Sequence, residues 1–181
     1  MLNINGKQDE SYRYKMCPIN SNIMGKGNGL FTSINNLNEV CKYINHPPNL
    51  LLKFLSLYFG SMSNEDKMSI TGSYSNDQLQ KALQVYINRF VICSSCSIPE
   101  TIPQLNKITK KSINLELKCS ACGLISEIKC NNKIEEKTSD LIIKYLEKNI
   151  WGVASKGTMV NQNNICSNTK EEDDNSLDPF R

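Results

Sequence analysis

The chain has 181 residues, 39% hydrophobic and 22% charged, enough apolar side chain for one ordinary domain plus a small module and too much for a disordered polypeptide. Its net charge of +3 is too small to diagnose a nucleic-acid binder, but residues 1–60 carry +3, 61–150 carry +2 and 151–181 carry −2, a basic body with an acidic end that suits a polyanionic neighbour or a plain solvated surface. Residues 1–10 are polar and the longest aliphatic run, Leu50–Leu52, is cut by Lys53, so neither a secretion signal nor a membrane span is expected.

Taken in order, residues 1–11 read as a loose arm. Tyr12-Arg13-Tyr14-Lys15-Met16 alternates rings and methionine with cations, which predicts a strand with Arg13 and Lys15 facing out if the apolar side chains face in. A short extended piece ends at Met24, and Gly25-Lys26-Gly27-Asn28-Gly29 reads as a flexible loop before a strand over Leu30–Ile34. Asn36 and Glu39 are spaced as a capping pair ahead of Leu37, Val40, Cys41 and Ile44 at helical spacing, and Pro47-Pro48 stops that helix at His46. Asn49 is read as the cap of a second helix through Phe54, Leu55 and Phe59, ending at Gly60. A strand near Lys67–Thr71 precedes the capping box Ser75/Gln78 and a helix that carries Leu79, Leu83, Tyr86 and Phe90 on one face.

Phe90-Val91-Ile92 then runs straight into Cys93 without a flexible linker. Further on, Thr138–Ile150 reads as a helix with Leu141, Ile142, Tyr145 and Leu146 inward and Ser139 and Asp140 at its start. From Trp151 the composition turns polar and acidic, with Glu171–Asp174, and disorder is expected. The expected class is α+β: arm 1–11, alpha/beta domain 12–90, ribbon 91–130, helix 131–150 and disordered tail 151–181.

The strongest chemical signal is Cys93-x-x-Cys96 and Cys119-x-x-Cys122, separated by 22 residues that include the alternating, strand-like Ser112–Lys118. Two matched thiolate pairs suit one tetrahedral Zn2+, so these four cysteines are expected to form a zinc ribbon. A redox or disulfide pair is the alternative, disfavoured for eight cysteines without export, which point to a reducing cytoplasmic compartment where Cys17, Cys41, Cys130 and Cys166 stay free or buried. Four sulfur ligands leave no open position, so the metal would fold the module and not catalyse. Lys107, Lys110, Lys111 and Lys118 are phosphate contacts or a solvated face. His46, the one histidine, lacks a neighbouring acid or cysteine and reads as a helix C-terminal cation or surface residue. Gly25–Gly29 lacks the Lys-Ser/Thr ending of a nucleotide-binding loop.

Tyr12–Met16, Gly25–Gly29, the Pro47-Pro48 break and Phe90–Cys96 with Pro99-Glu100-Thr101 resemble, in order and over about residues 10–130, the N-terminal half of the eukaryotic translation initiation factor 5 family. The ribbon alone is also similar to that of the beta subunit of initiation factor 2. The resemblance implies an alpha/beta domain packed on a zinc ribbon, acting as GTPase activator for initiation factor 2 in the scanning ribosomal complex. The partners it implies are initiation factor 2 with GTP and initiator tRNA, the small ribosomal subunit and the start-codon region of mRNA, with no membrane and no DNA. By position it makes Arg13 an arginine finger, with Lys15 and Lys53 supporting. Lys26, Gly27, Asn28 and Gly29 become the loop that approaches initiator tRNA. Phe31 stands where the family often has lysine, and the family's C-terminal helical-repeat domain has no counterpart before Arg181. Two other readings stand beside this one: a non-catalytic RNA-binding or scaffold module that stabilises initiator tRNA, and a transcription-type ribbon on duplex DNA.

Overall fold

Each helix in the N-terminal part starts and stops for a chemical reason that can be named. The structure, a computed structural model, describes residues 1–107, 113–148 and 151. α1 (Leu37–Ile44) buries Leu37, Val40, Cys41 and Ile44 along one stripe, and Asn45, left-handed at φ 57°, closes it with its amide on the carbonyls of Cys41 and Lys42. Asn36 does not cap this helix. Its side chain instead donates to Pro18 O at 2.8 Å and accepts from Asn20 N at 2.9 Å, fastening the preceding loop. α2 (Pro48–Phe59) begins at Pro48, with Pro47 and not Asn49 in the capping position, because a first-turn proline lacks only an N–H that no helical carbonyl would accept. It buries Leu50, Leu51, Leu52, Phe54 and Leu55, which makes it the central helix, and ends at Gly60 with φ 63°.

α3 (Asn76–Phe90) has both bonds of its capping box: Ser75 Oγ accepts from Gln78 N at 3.3 Å, and Gln78 Oε1 from Ser75 N at 2.9 Å. Leu79, Ala82, Leu83, Tyr86, Ile87 and Phe90 lie fully buried on its inner face. Burial of side chains this size contributes about 1.5–3 kcal/mol each against the entropy of ordering the chain. Four short strands cover the other side in the antiparallel order β3-β4-β6-β5, namely β3 (Ser21–Met24), β4 (Phe31–Ile34), β5 (Ser63–Asn64) and β6 (Ser69–Thr71). The strand expected from Lys67 is shorter because Asn64 Oδ1 accepts from the Lys67 amide at 3.1 Å and turns the chain there.

The arm is anchored and not loose. β1 (Leu2–Asn3) pairs antiparallel with β2 (Lys15–Met16), and Ile4, only 2% exposed, enters the core. Ile4 N donates to Tyr14 O at 3.0 Å and Gln84 Nε2 to Ile4 O at 3.0 Å. Those partners lie ten and eighty residues away, so local polarity concealed the contact. Within Tyr12–Met16 only the last two residues are strand, and the facing follows the alternation in part: Met16 is buried, both tyrosines are half-buried and Arg13 is exposed, but Lys15, expected to face out, is half-buried because its Nζ folds back onto Glu10 O.

The ribbon follows directly, as expected from the absence of a linker. It consists of β7 (Thr101–Lys107), β8 (Ile113–Cys119) and β9 (Ile125–Glu127) in antiparallel order. Thr101 Oγ1 donates to Val91 O at 2.8 Å and so ties the first ribbon strand to the end of α3. α4 (Lys133–Glu147) packs on α2 and on β7 and β8. It starts at Lys133 instead of Thr138 because Asn132 Oδ1 caps the amide of Glu135 at 2.9 Å and Glu135 and Glu136 sit at the positive helix end. Thr138 and Ser139 are therefore buried mid-helix, and Ile142 reaches the core. The expected tail beyond Trp151 lies outside the described residues, as do Lys110, Lys111 and Cys166. Among the described residues no helix is long and apolar enough to cross a membrane.

Candidate functional site

Two turns of the same construction present the cysteines. In the first, Cys93 N donates to Ile98 O at 3.0 Å and Ser97 N to Cys93 O at 3.0 Å. In the second, Cys119 N donates to Leu124 O at 2.8 Å and Gly123 N to Cys119 O at 3.0 Å. Each places a left-handed residue directly after its second cysteine, Ser97 at φ 57° and Gly123 at φ 76°. The four Sγ atoms lie within 4.8 Å of one another, with 3.6 Å for both Cys93···Cys122 and Cys96···Cys119, and no disulfide links them. A tetrahedron with metal–sulfur bonds of about 2.3 Å has sulfur edges of about 3.8 Å, so this donor set fits one soft or borderline divalent cation.

Proton and metal compete for these sulfurs. Burial raises the Cys93 thiol, but the amides of Cys96 and Ser95 and the neighbouring thiols outweigh it and bring the group down to about 7. At Cys96 the Ile98 amide lowers the thiol, yet burial and the surrounding sulfurs carry it up to about 12. Cys93 is thus the sulfur readiest to ionise, and a bound cation would have to displace the proton from Cys96.

The other candidate residues sit on separate elements. Arg13 is exposed and makes no side-chain hydrogen bond or ion pair among the described residues. Its neighbours are held from behind by the ribbon: Tyr12 Oη donates to Ser97 O at 3.3 Å and Tyr14 Oη to a Glu100 carboxylate oxygen. That hydrogen bond, then burial, raises the Tyr14 phenol and keeps it a donor. Sequence reasoning missed this brace, since Ser97 and Glu100 lie more than eighty residues away. Lys15 is half-buried with Nζ on Glu10 O at 3.2 Å. Lys53 on α2 is engaged by Glu65 at 2.8 Å, a bond that raises its ammonium against the effect of burial.

Lys26 and Asn28 are exposed at the tip of the β3–β4 hairpin, where Gly27–Gly29 form one short 3-10 turn and not an open loop. Gly25 is the glycine this turn requires, because at φ 90° a Cβ there would stand 2.2 Å from Gly29 O. Gly27 and Gly29 have open space on their Cβ sides. Among the described residues no hydrogen bond or ion pair joins Arg13, Lys53 and Lys26, and of the candidates distant in sequence the fold brings together the two cysteine pairs.

His46 is neither a surface residue nor a cation. It is 3% exposed, with Nδ1 2.7 Å from Tyr86 Oη and the Trp151 ring edge-on at 4.6 Å. Burial pushes its pKa down to about 3, so it is a neutral core residue at pH 7.

Residues 5–125 match the family described as the domain found in initiation factor 2B and initiation factor 5. The chain is 40% identical over 96 residues to eukaryotic translation initiation factor 5 of Dictyostelium discoideum, which covers 52% of this chain and 24% of that protein. It is 37% identical over 103 residues to the probable eukaryotic translation initiation factor 5 of Schizosaccharomyces pombe, covering 55% and 26%. With eukaryotic translation initiation factor 5 of Saccharomyces cerevisiae the identity is 34% over 97 residues, covering 51% and 24%. The matched region thus spans about a quarter of the length of these curated relatives.

Proposed function

The chain belongs to the family of the domain found in initiation factors 2B and 5, and from that premise we propose that it is a cytoplasmic translation initiation factor that activates GTP hydrolysis on initiation factor 2 when the start codon is recognised. The observation that carries this reading is Arg13: an exposed guanidinium, unpaired among the described residues, between two tyrosines whose hydroxyls lean on the ribbon. A braced backbone lets the side chain reach into a partner's nucleotide site with little loss of chain entropy. There its planar fork spreads charge over the oxygens of the transferring phosphoryl group, an effect worth roughly 10³–10⁵ in rate where such arginines act. The chain itself is then no enzyme; it supplies one residue in trans.

Lys15, two residues on, adds positive potential at the same surface. Lys53 acts more remotely, because a partner phosphate must displace Glu65 before it can be reached. Lys26 and Asn28, with the open sides of Gly27 and Gly29, offer phosphate and sugar contacts to initiator tRNA near the start codon on the small ribosomal subunit. Zn2+ is the cation assigned to Cys93, Cys96, Cys119 and Cys122, where it holds the knuckles that carry Ser97 and Glu100 and so supports the brace behind Arg13. It takes no part in the hydrolysis.

The separation of Lys26 from Arg13 and the engagement of Lys53 also favour a second reading, a non-catalytic RNA-binding module similar to the beta subunit of initiation factor 2. Adding the chain to GTP-loaded factor with initiator tRNA on the small subunit and following one turnover distinguishes the two. Activation gives a faster burst of phosphate; the binding module stabilises the tRNA and leaves the burst unchanged.

A further inference from the structure

β9 ends the ribbon sheet, with β8 on one side and no strand on the other among the described residues. In antiparallel pairing, successive residues turn their backbone groups alternately toward the partner and away from it. Cys119 N donates to Leu124 O and Ile128 N to Leu115 O, which sets the phase: Leu124, Ser126 and Ile128 face β8, and Ile125 and Glu127 face the edge. Among the described residues no hydrogen bond reaches those edge-facing groups.

Different surfaces flank that edge. On the outer face the register sets Ile102, Lys118 and Ile125 in one row across the sheet, with Ile102 and Ile125 49% and 51% exposed. On the inner face Ser126 and Leu117 border a cavity of about 410 Å³ beneath the end of α3, with Ile92 and Ile128 among its apolar lining. Its polar lining is rich in donors, including Lys7, Asn88 and Arg89, and the one acidic residue that borders it, Glu127, turns its carboxylate to the outer face, where Oε1 accepts from Asn114 Nδ2. Arg89 Nε lies 3.1 Å from Glu135 as an ion pair, and both Nε and Nη2 are buried without a hydrogen-bond partner.

We propose that the β9 edge and this cavity dock an extended acidic peptide of a partner protein, added as a fourth ribbon strand. Its apolar side chains lie beside Ile125, and its alternate side chains turn inward, where methylenes rest on Ile92, Leu117 and Ile128 and carboxylates meet Lys7 and Arg89. Main-chain bonds supply affinity and the two unlike faces supply selectivity. Charge favours a peptide over RNA, because Glu116 and Glu127 stand in the next row on the outer face, where they would repel a phosphate backbone but meet only the apolar side chains of the peptide. This surface does not depend on the role assigned to Arg13.

The test uses the full chain loaded with zinc and fluorescein-labelled Val-Glu-Val-Glu-Val-Glu-Val, read by fluorescence anisotropy beside the Val-Lys counterpart and a labelled oligouridylate. Saturable binding of the acidic peptide alone is expected. Ile125→Pro removes an edge-facing N–H and no ladder bond, and should weaken binding about three- to tenfold, what one lost hydrogen bond is worth. Lys7→Glu, an exposed change that leaves the ribbon intact, should weaken it about three- to tenfold. If Ile125→Pro fails to retain zinc, Lys7→Glu decides alone. Equal binding of both peptides, preference for the RNA, self-association through this edge, no binding at millimolar peptide, or indifference to Lys7→Glu would each overturn the proposal.

Discussion

His46 gives the chain a measurable acid weakness. Its folded pKa of about 3 lies below the ordinary value of 6.5, so the unfolded state binds its proton first. Stability from this residue is complete above pH 6.5 and drains away as pH falls toward 3. Between pH 7 and pH 4 the loss is about 3 kcal/mol, taking 1.36 kcal/mol per pH unit over the 2.5 units below the unfolded pKa. Carboxyl groups and protonation of the cysteine cluster also act on acidification, so the comparison needs His46→Gln, which keeps an acceptor for Tyr86 Oη but cannot titrate. Urea unfolding followed by circular dichroism at pH 7, 5.5 and 4 gives the stabilities, and Trp151, the single tryptophan, reports the site by its emission. The variant should start about 1–3 kcal/mol lower and then lose about 3 kcal/mol less than the parent on acidification. Parallel pH curves for the two proteins would refute the neutral, buried histidine.

Other perturbations have equally definite outcomes. Strong chelation should remove one divalent cation per chain and cost the ribbon its protection from amide exchange, and Cys119→Ser should prevent metal uptake, as elemental analysis would show. Phe90→Ala removes a fully buried ring at the junction of α3 with the ribbon and should lower unfolding free energy by about 3–5 kcal/mol. Lys26→Ala should weaken retention of initiator tRNA in a filter assay by less than about tenfold without changing the fold, since the side chain is exposed at a turn.

The features legible in the sequence were those whose partners lie close along the chain. The capping box at Ser75 and Gln78, the buried stripe of α3 and the cysteine turns all depend on residues three to five apart, so pattern and structure agree. Asn132 belongs to the same class, with Glu135 three residues on, although the inward apolar spacing becomes regular only after Thr138. What pattern could not supply was long-range. Ile4 is held by Tyr14 and Gln84, His46 by Tyr86 and Trp151, and Asn36 by the loop at Pro18, each contact overriding a sound local expectation. For the candidate site the convergence of the four cysteines was legible from their spacing. The exposure of Arg13 followed from simple alternation, whereas its brace against Ser97 and Glu100 and the capture of Lys53 by Glu65 appear only when the chain is folded.

The arginine assignment is tested most directly by single-turnover GTP hydrolysis on initiation factor 2 assembled with initiator tRNA on the small ribosomal subunit, comparing the parent chain with Arg13→Ala and Arg13→Lys. Both variants change an exposed side chain and should fold and bind zinc as the parent does. Arg13→Ala should slow hydrolysis by roughly 10³-fold or more, and Arg13→Lys should recover little of it, because an ammonium lacks the planar fork. A rate for Arg13→Ala equal to that of the parent chain would contradict the assignment.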